Sequence, residues 1–248
     1  MKRIQVFKIV YSRTTIKMTQ IISIEGNIGS GKSTFLSYLK EYYKDSEVIF
    51  LREPVDEWEK IREKETGETM LEKFYADQPR YAFSFQIMAF ISRLSLLREI
   101  VKTNPYATII TERCLHTDKL VFAKMLYDMG NIEDVNYQIY CQIYDEFAKD
   151  YPVQHIIYIR ADPEICHERI QLRSRQGESS ISLEYLTQCA KYHDDMIVSL
   201  DKSRTNIHIL DGNVNIHKMG IPSINAQLIH DIIGDRHRRR GRDQYISC

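Results

Sequence analysis

The chain has no excess of either charge, because 34 lysine and arginine residues balance 34 aspartate and glutamate residues over 248 positions. A balanced charge argues against the broad basic field of a nucleic-acid-binding protein. The sequence also has no apolar run long enough to cross a membrane, so we expect neither a nucleic acid nor a membrane as a partner. Length and composition fit one soluble α/β domain with a substantial core.

Cysteine is scarce and follows no pattern. The five cysteines are scattered along the chain and form no Cys-x-x-Cys pair. An odd number without paired spacing argues against a disulfide framework and against a zinc site. Free thiols are typical of a reducing compartment, so we expect a cytoplasmic protein.

The two ends of the chain are basic. No acidic residue precedes Glu25, whereas five lysines and arginines do. That segment is either a mitochondrial targeting sequence or a plain extension ahead of Met18, and its shortness favours the extension. The arginine-rich end is typical of a solvated tail that can touch anionic partners. Since no repeat or Pro/Gly linker divides the remainder, we predict an extension over 1–17, one domain over 18–234 and a tail over 235–248.

The segment Gly26–Ser33 fits the pattern G-x-x-x-x-G-K-[ST] of a phosphate-binding loop. An apolar run precedes it and an amphipathic pattern, Thr34–Lys44, follows it, as in a strand–loop–helix unit. In such a unit the loop N–H groups and the helix N-terminus face the phosphates of a nucleotide. Lys32 should reach the β/γ-phosphates and Ser33 should ligate Mg²⁺, so we predict ATP or another nucleoside triphosphate as ligand. The predicted nucleotide-binding residues are Gly26, Asn27, Ile28, Gly29, Ser30, Gly31, Lys32, Ser33 and Thr34.

Short β-branched runs alternate with helical patterns along the chain. This alternation predicts an α/β fold with a doubly wound, five-stranded parallel sheet flanked by helices, and ligands at the carboxyl ends of its strands. The predicted strands are Ile21–Ile24, Val48–Leu51, Thr108–Thr111, Ile156–Ile159 and Ile207–Leu210. The predicted helices beyond the loop are Arg80–Lys102, Asp118–Met129, Ile132–Lys149, Pro163–Arg173 and Leu183–Lys202.

Charged residues follow the second and third predicted strands. Glu53 is a candidate general base for an alcohol acceptor, because its strand neighbours the loop. Glu112 can complete a Mg²⁺ shell with Ser33, and Arg113 can neutralise charge on a transferring phosphoryl group. The alternatives are a surface salt bridge for Glu53 and a structural ion pair for the other two.

Two further polar sets stand out. Arg169, Arg173 and Arg175 precede a Gly/Ser-rich stretch, which has the composition of a lid closing over a triphosphate. A solvated basic helix face is the alternative. Gln86 and Arg93 lie seven residues apart on a mostly apolar helix, where either a ligand or the protein interior must satisfy them.

Taken in order, these motifs resemble the deoxynucleoside kinases, the family of deoxycytidine, deoxyguanosine and mitochondrial thymidine kinases. The resemblance runs from about Ile21 to about Leu210. Besides Ile24–Thr34 it rests on Glu53–Trp58, Phe83–Gln86, Glu112–Cys114, Leu172–Arg175 and Ile181–Leu186.

The resemblance implies a P-loop kinase fold with an arginine-rich lid, and transfer of phosphate from ATP to the 5′-hydroxyl of a 2′-deoxynucleoside. It implies Glu53 as the base with Arg113 beside it, and Lys32 as a catalytic lysine. It also implies a homodimer, and apolar positions in Asp118–Met129 and near Leu183 are candidates for its contact. The implied substrate-binding residues are Glu53, Val55, Trp58, Tyr75, Phe85, Gln86, Arg93, Arg113, Asp118, Phe122 and Glu178. Near the donor the resemblance implies Arg169, Arg173, Arg175, Asp211, Asn213 and Val214.

The pair Arg93 and Asp118 matches the deoxycytidine and deoxyguanosine members, whereas the thymidine-preferring members lack it. A carboxylate accepts from a base amino group, and thymine offers a carbonyl there. We therefore expect deoxycytidine or purine deoxynucleosides to be preferred over thymidine. Phe74 is a departure, since the deoxycytidine enzymes have a flexible methionine at this position, and its ring would narrow the pocket.

Two other functions fit parts of the sequence. A nucleoside monophosphate kinase would share the loop and lid, but its acceptor has no hydroxyl for Glu53 to deprotonate. A catalytically silent nucleotide-binding subunit would not need Lys32, Glu112 or Arg113, which are all present.

Overall fold

A computed structural model describes residues 19–44, 47–173, 180–214 and 227–233. The predicted extension over 1–17 and tail over 235–248 lie outside this part of the chain, as do Arg175 and Glu178.

Five parallel strands form one sheet in the order β2-β3-β1-β4-β5, which confirms the predicted fold class. Each predicted strand is present, and all but the second are longer than predicted. The strands are β1 (Gln20–Glu25), β2 (Val48–Leu51), β3 (Thr108–Glu112), β4 (His155–Arg160) and β5 (Asn206–Asp211).

The central strand β1 pairs with β3 on one side and β4 on the other. Ile22, at its middle, is opposite Ile110 and His155 and has no exposed surface. Because helices cover both faces, both side-chain directions of this strand are buried, which is why its sequence is almost continuously apolar. The loop that follows β1 therefore leaves the central strand of the sheet, which is paired on both sides and covered on both faces.

The helices of the described chain surround this sheet. They are α1 (Lys32–Tyr42), α2 (Val55–Trp58), α3 (Met70–Ala76), α4 (Gln78–Thr103), α5 (Leu115–Thr117), α6 (Lys124–Asp128), α7 (Asp134–Phe147), α8 (Pro163–Arg173) and α9 (Leu183–Ser199). A π-helical segment, Asp118–Ala123, joins α5 to α6, and residues 227–233 are also helical. None of the described helices has the length and apolar character needed to cross a bilayer.

Helix α3 was not predicted, although its start has a clear sequence signal. The Thr69 hydroxyl accepts from the Glu72 backbone N–H, and the Glu72 carboxylate accepts from the Thr69 backbone N–H. This reciprocal capping box satisfies two backbone donors at the helix start. The helix carries Leu71, Phe74 and Tyr75 to the cavity described below.

The predicted helix Asp118–Met129 is helical as far as Asp128, but its first half is π-helical and few of its apolar positions are exposed. The chain turns into a helix at Leu115 and widens to a π-helix before α6. Val121, Ala123, Met125 and Leu126 are fully buried, so these apolar positions belong to the core. Among the large apolar side chains of Asp118–Met129, only that of the last residue, Met129, is exposed. This helix therefore offers little apolar surface for contact with a second subunit.

Candidate active site

A cavity opens at the carboxyl ends of the strands, where the strand–helix alternation predicts a ligand site. Its empty space, counted together with the solvent at its mouth, is about 710 Å³. The cavity brings together residues of the loop after β1, the turn after β2, the end of β3, and α3, α4, α8 and α9. Its lining includes predicted residues Ile28, Lys32, Ser33, Glu53, Val55, Trp58, Tyr75, Phe85, Gln86, Arg93, Glu112, Arg113, Asp118, Phe122 and Arg173.

Close contacts fix the phosphate-binding loop to the helices behind it. Gly29 has φ +81°, and a Cβ there would lie 2.4 Å from the backbone oxygen of Cys166 on α8. The Asn27 amide donates to the backbone oxygen of Leu186 on α9 at 2.8 Å. The loop backbone therefore needs glycine at position 29 for its conformation and for its approach to α8.

The end of the loop has the polar groups that a magnesium-bound triphosphate needs. Lys32 is 4% exposed, and its Nζ donates to the Asn27 backbone oxygen at 2.6 Å. Burial, with a smaller contribution from Arg113, lowers the pKa of Lys32 to about 8, and Glu112 and Glu53 oppose this shift. An anionic phosphate at Nζ would favour the charged form.

The donor set also fits Mg²⁺. The Ser33 hydroxyl donates to Glu112 Oε1 at 2.7 Å, so one hydroxyl oxygen and one carboxylate lie together where the loop meets β3. Mg²⁺ is usually held by one or two carboxylates, waters and substrate phosphates. Among the described residues, the buried Ser30 hydroxyl has no hydrogen-bond partner, which leaves a donor in the loop for an anion.

Glu53 is held by two arginines at the floor of the cavity. Arg113 Nη1 donates to both carboxylate oxygens, at 2.7 and 2.8 Å, and Arg93 Nη2 donates to Oε1 at 3.1 Å. Burial raises the pKa of Glu53, but Arg113, Arg93 and Lys32 outweigh burial and lower it to about 2. Glu53 is therefore ionised at neutral pH. Its salt bridges with Arg113 and Arg93 are largely buried, which contradicts the alternative of a surface salt bridge, and its role as a general base stays a prediction.

Arg113 has a strained backbone. Its φ is 62°, a left-handed conformation that is uncommon outside glycine. Its guanidinium lies over the Phe122 ring, 5.1 Å from the ring centroid, and its buried Nε has no hydrogen-bond partner among the described residues. Strain of this kind persists where surrounding contacts determine it, and here the contact of Arg113 Nη1 with both Glu53 oxygens is one of them.

Arg93 and Asp118 form a buried pair. Arg93 Nε donates to Asp118 Oδ2 at 2.9 Å, and Nη1 donates to the Glu112 backbone oxygen at 2.7 Å. Burial raises the pKa of Asp118, although Arg93 opposes the shift. Gln86, two helical turns away on α4, is 2% exposed and lines the same cavity.

Aromatic rings form one wall of the cavity. Phe74 stacks on Phe85 with 4.5 Å between ring centroids and 12° between planes. Trp58 packs edge-on against Phe85 at 5.5 Å, and Tyr75 is tilted against Phe74 at 5.0 Å. Phe85 is thus supported on two sides and presents a well-defined apolar surface.

The arginines of α8 have different surroundings. Arg173 lines the cavity. Arg169 Nη1 donates to the backbone oxygens of Gly212, at 2.7 Å, and Ser30, at 3.3 Å, and its Nη2 donates to those of Asn213 and Val214. Arg169 therefore joins the loop after β5 to the phosphate-binding loop. The Asp162 backbone N–H, in the turn after β4, donates to Asn213 Oδ1 at 2.8 Å, and Asn213 Nδ2 donates to Asp162 Oδ2 at 3.1 Å, which ties the two loops together. Within the loop after β5, the Asn213 backbone N–H donates to Asp211 Oδ1 at 2.9 Å.

Several site features were not predicted. Leu71, Ala89 and Tyr185 also line the cavity, and Leu71 follows from the capping box that starts α3. Phe74, whose ring was expected at the pocket from the sequence, lines it as well. Glu25 is fully buried beneath the loop, where the hydroxyls of Ser23 and Thr117 donate to it. Its position before Gly26 gave no indication of a bond to Thr117, which is distant in sequence.

Comparison with known proteins agrees with this geometry. Residues 22–225 match the deoxynucleoside kinase family. The deoxycytidine kinase of Bos taurus is 34% identical over 196 residues, which cover 71% of this chain and 75% of the relative. The mitochondrial deoxyguanosine kinase of Xenopus laevis is 32% identical over 203 residues, 75% of each chain. A probable deoxycytidine kinase of Fowlpox virus is 31% identical over 198 residues, 77% of each chain.

The match spans the loop, the Glu53 turn, the end of β3 and the arginine helix α8, which are the parts that build the cavity. The chain therefore belongs to the deoxynucleoside kinase family, and it is a phosphotransferase that acts on a hydroxyl group.

Proposed function

We propose that the protein transfers the γ-phosphoryl group of ATP to the 5′-hydroxyl of 2′-deoxynucleosides, with deoxycytidine or purine deoxynucleosides preferred over thymidine. The observation that carries the proposal is one cavity in which a phosphate-binding loop and a doubly paired carboxylate meet. The loop supplies the donor side, and the aromatic wall with Gln86, Arg93 and Asp118 supplies the acceptor side.

Glu53 orients the acceptor hydroxyl and takes its proton. A carboxylate that accepts from two arginines keeps its charge and a fixed orientation, which holds the attacking oxygen in line. Its low pKa makes it a weak base in the ground state, so proton transfer follows bond formation to phosphorus, when the hydroxyl has become acidic. Arg113 then neutralises charge on the transferring group.

Lys32, the loop N–H groups and Arg173 would bind the phosphates, and Ser33 with Glu112 would hold Mg²⁺. The metal, when bound, neutralises charge on the phosphate oxygens. Arg169 keeps the loop after β5, with Asp211, Asn213 and Val214, against the phosphate-binding loop, next to the proposed site of the donor base. Arg175 and Glu178 remain proposals for the lid and the sugar 3′-hydroxyl.

The base preference follows from the buried carboxylate Asp118. A base amino group can donate to it, whereas the carbonyl of thymine would leave a buried carboxylate facing an acceptor. Gln86 can donate and accept at the same base edge, and Phe122 would stack on the base. Trp58, Val55 and Phe85 would line the rest of the pocket.

Steady-state assays of ADP formation test the proposal. With ATP and Mg²⁺ we expect turnover of deoxycytidine, deoxyadenosine or deoxyguanosine with a higher kcat/KM than thymidine. A clear preference for thymidine would contradict the base assignment. Turnover of a nucleoside monophosphate instead would favour the monophosphate kinase, and nucleotide binding without turnover would favour the silent subunit.

We also propose a cytoplasmic homodimer with one kinase domain over 18–234, flanked by the basic extension and tail. Exposed apolar residues support a subunit contact on α7, where Val135 and Ile139 are four residues apart and share a face. Their exposed fractions are 65% and 43%, which are high for apolar side chains of a helix.

A further inference from the structure

Arg93 contacts three separate parts of the cavity with three nitrogens. Nε donates to Asp118 at 2.9 Å, Nη1 to the Glu112 backbone oxygen at 2.7 Å, and Nη2 to Glu53 at 3.1 Å. The Arg93 side chain is 5% exposed, and those of Asp118 and Glu53 are 3% and 14% exposed. A single planar group thus joins the carboxylate on the base side of the pocket to the carboxylate at the hydroxyl.

We propose that Arg93 is a positioning residue that couples recognition of the nucleobase at Asp118 to the placement of Glu53. This inference rests on the proposed function, since it needs a base at Asp118 and a hydroxyl at Glu53. It adds that the identity of the base changes the turnover number and not only the affinity.

The guanidinium cannot follow one carboxylate without moving relative to the other. Its donors are fixed in one plane, and the backbone oxygen at the end of β3 holds Nη1 as a pivot. The contact with Glu53 is the longest of the three, at 3.1 Å. A small rotation about the pivot therefore changes this contact first.

The base determines which way the guanidinium moves. An amino group donating to Asp118 keeps that carboxylate ionised and paired with Arg93. A carbonyl at the same place repels the Asp118 carboxylate. Because burial already raises the pKa of Asp118, this carboxylate then either takes up a proton or turns away from the base. Either response weakens the bond from Nε and frees the guanidinium to move toward Glu53, which draws that carboxylate from the hydroxyl.

Deoxycytidine and deoxyuridine are the matched probes, because they differ only at one edge of the base. Deoxycytidine has an amino group beside an accepting ring nitrogen, and deoxyuridine has a carbonyl beside a ring N–H. The experiment measures kcat, KM and equilibrium Kd for both nucleosides with the unmodified protein and with Arg93→Lys. Lysine keeps the charge but has one compact ammonium, which cannot hold two carboxylates and a carbonyl in a fixed plane. Arg98→Lys, at an exposed position of the same helix, is the control.

In the unmodified protein and in Arg98→Lys we expect kcat for deoxycytidine to exceed kcat for deoxyuridine by about tenfold or more, the equivalent of one charge-assisted hydrogen bond. In Arg93→Lys that ratio of kcat values should fall close to one, while the ratio of Kd values persists. The proposal is overturned if the unmodified protein distinguishes the two nucleosides only in Kd and KM and not in kcat. It is also overturned if the ratio of kcat values is unchanged in Arg93→Lys.

A second variant covers the case in which Arg93→Lys does not fold. Asp118→Asn keeps the side-chain size, and we expect it to lower kcat for deoxycytidine although residue 118 does not contact the hydroxyl. An effect on Kd alone would overturn the coupling. Failure of the proposed function is distinguishable, because the unmodified protein would then phosphorylate neither nucleoside.

Discussion

Under the proposed function, substitution of Glu53 should separate catalysis from nucleotide binding. We expect Glu53→Gln to lower kcat by about 10²- to 10⁴-fold, the usual contribution of a positioned general base. ATP binding should change little, because the loop holds the phosphates without this side chain. Steady-state kinetics and equilibrium ATP titration measure the two effects.

Glu57→Gln, at an exposed position of α2, is the control and should leave both quantities unchanged. A Glu53→Gln variant with nearly normal kcat would contradict the catalytic role of this carboxylate.

Glu25 gives stability a dependence on pH. Burial raises its pKa above the ordinary 4.5, although the bonds from Ser23 and Thr117 oppose the shift. The folded protein thus keeps this proton to a higher pH than the unfolded chain does. The contribution of protonated Glu25 to the free energy of unfolding is complete below about pH 4.5 and is lost as the pH rises through the folded-state pKa.

The Gln side chain of Glu25→Gln cannot ionise. The free energy of unfolding of this variant, relative to that of the unmodified protein, should therefore increase as the pH rises from about 5 to about 8. Urea unfolding at several pH values measures this difference, with the exposed Glu99→Gln as control. A difference that is constant with pH, or that runs in the opposite direction, would show that Glu25 is already ionised in the folded protein.

Among the elements, the phosphate-binding loop depends on one close approach. Gly29→Ala forces a left-handed alanine, which costs about 1–2 kcal/mol, and also a Cβ clash at 2.4 Å with Cys166. Gly67→Ala imposes a similar left-handed φ, +76°, with nothing within 4 Å of its Cβ. We expect Gly29→Ala to be the more destabilising and to weaken ATP binding, as urea unfolding and ATP titration would show. Equal effects of Gly29→Ala and Gly67→Ala would mean that α8 shifts enough to relieve the clash.

The start of α3 makes a second element-scale prediction. Thr69→Ala removes the capping hydroxyl and should lower the free energy of unfolding by about 1 kcal/mol. Since α3 brings Phe74 and Tyr75 to the cavity, the KM for the nucleoside should also rise. Thr187→Ala on α9, whose hydroxyl only donates to a backbone oxygen four residues earlier, is the control for both measurements. An unchanged KM would indicate that the packing of Phe74 on Phe85 positions α3 without its cap.

The elements show what sequence alone can predict. The strands were predicted because short runs of β-branched residues are typical of parallel strands that are buried on both faces. The helix Asp118–Met129 was predicted with apolar positions to spare for a subunit contact, because apolar periodicity does not distinguish core from surface or reveal a π-helical segment. Arg93 was placed on the correct helix face, but its contacts with Asp118 and Glu53 depend on how three elements meet.

For the whole molecule, subunit association is the property that the exposed surface predicts. If α7 forms the contact, Ile139→Glu should convert a dimer to a monomer, because it places a charge in an apolar interface. Sedimentation velocity would measure the mass in solution. Val198→Glu, at an exposed position of α9, serves as the comparison. A dimer that survives Ile139→Glu but not Val198→Glu would move the interface to α9.

The position of β1 between two pairs of strands also has a consequence for how the protein can vary. Amides of a strand bonded on both sides and covered on both faces should exchange with deuterium only on global unfolding, so the phosphate-binding loop begins within the slowly exchanging centre of the sheet. The sheet edges β2 and β5 should exchange sooner. Insertions or grafted acceptor pockets are therefore best tolerated toward these edges, where the chain can be remodelled without disturbing the strand that anchors the loop.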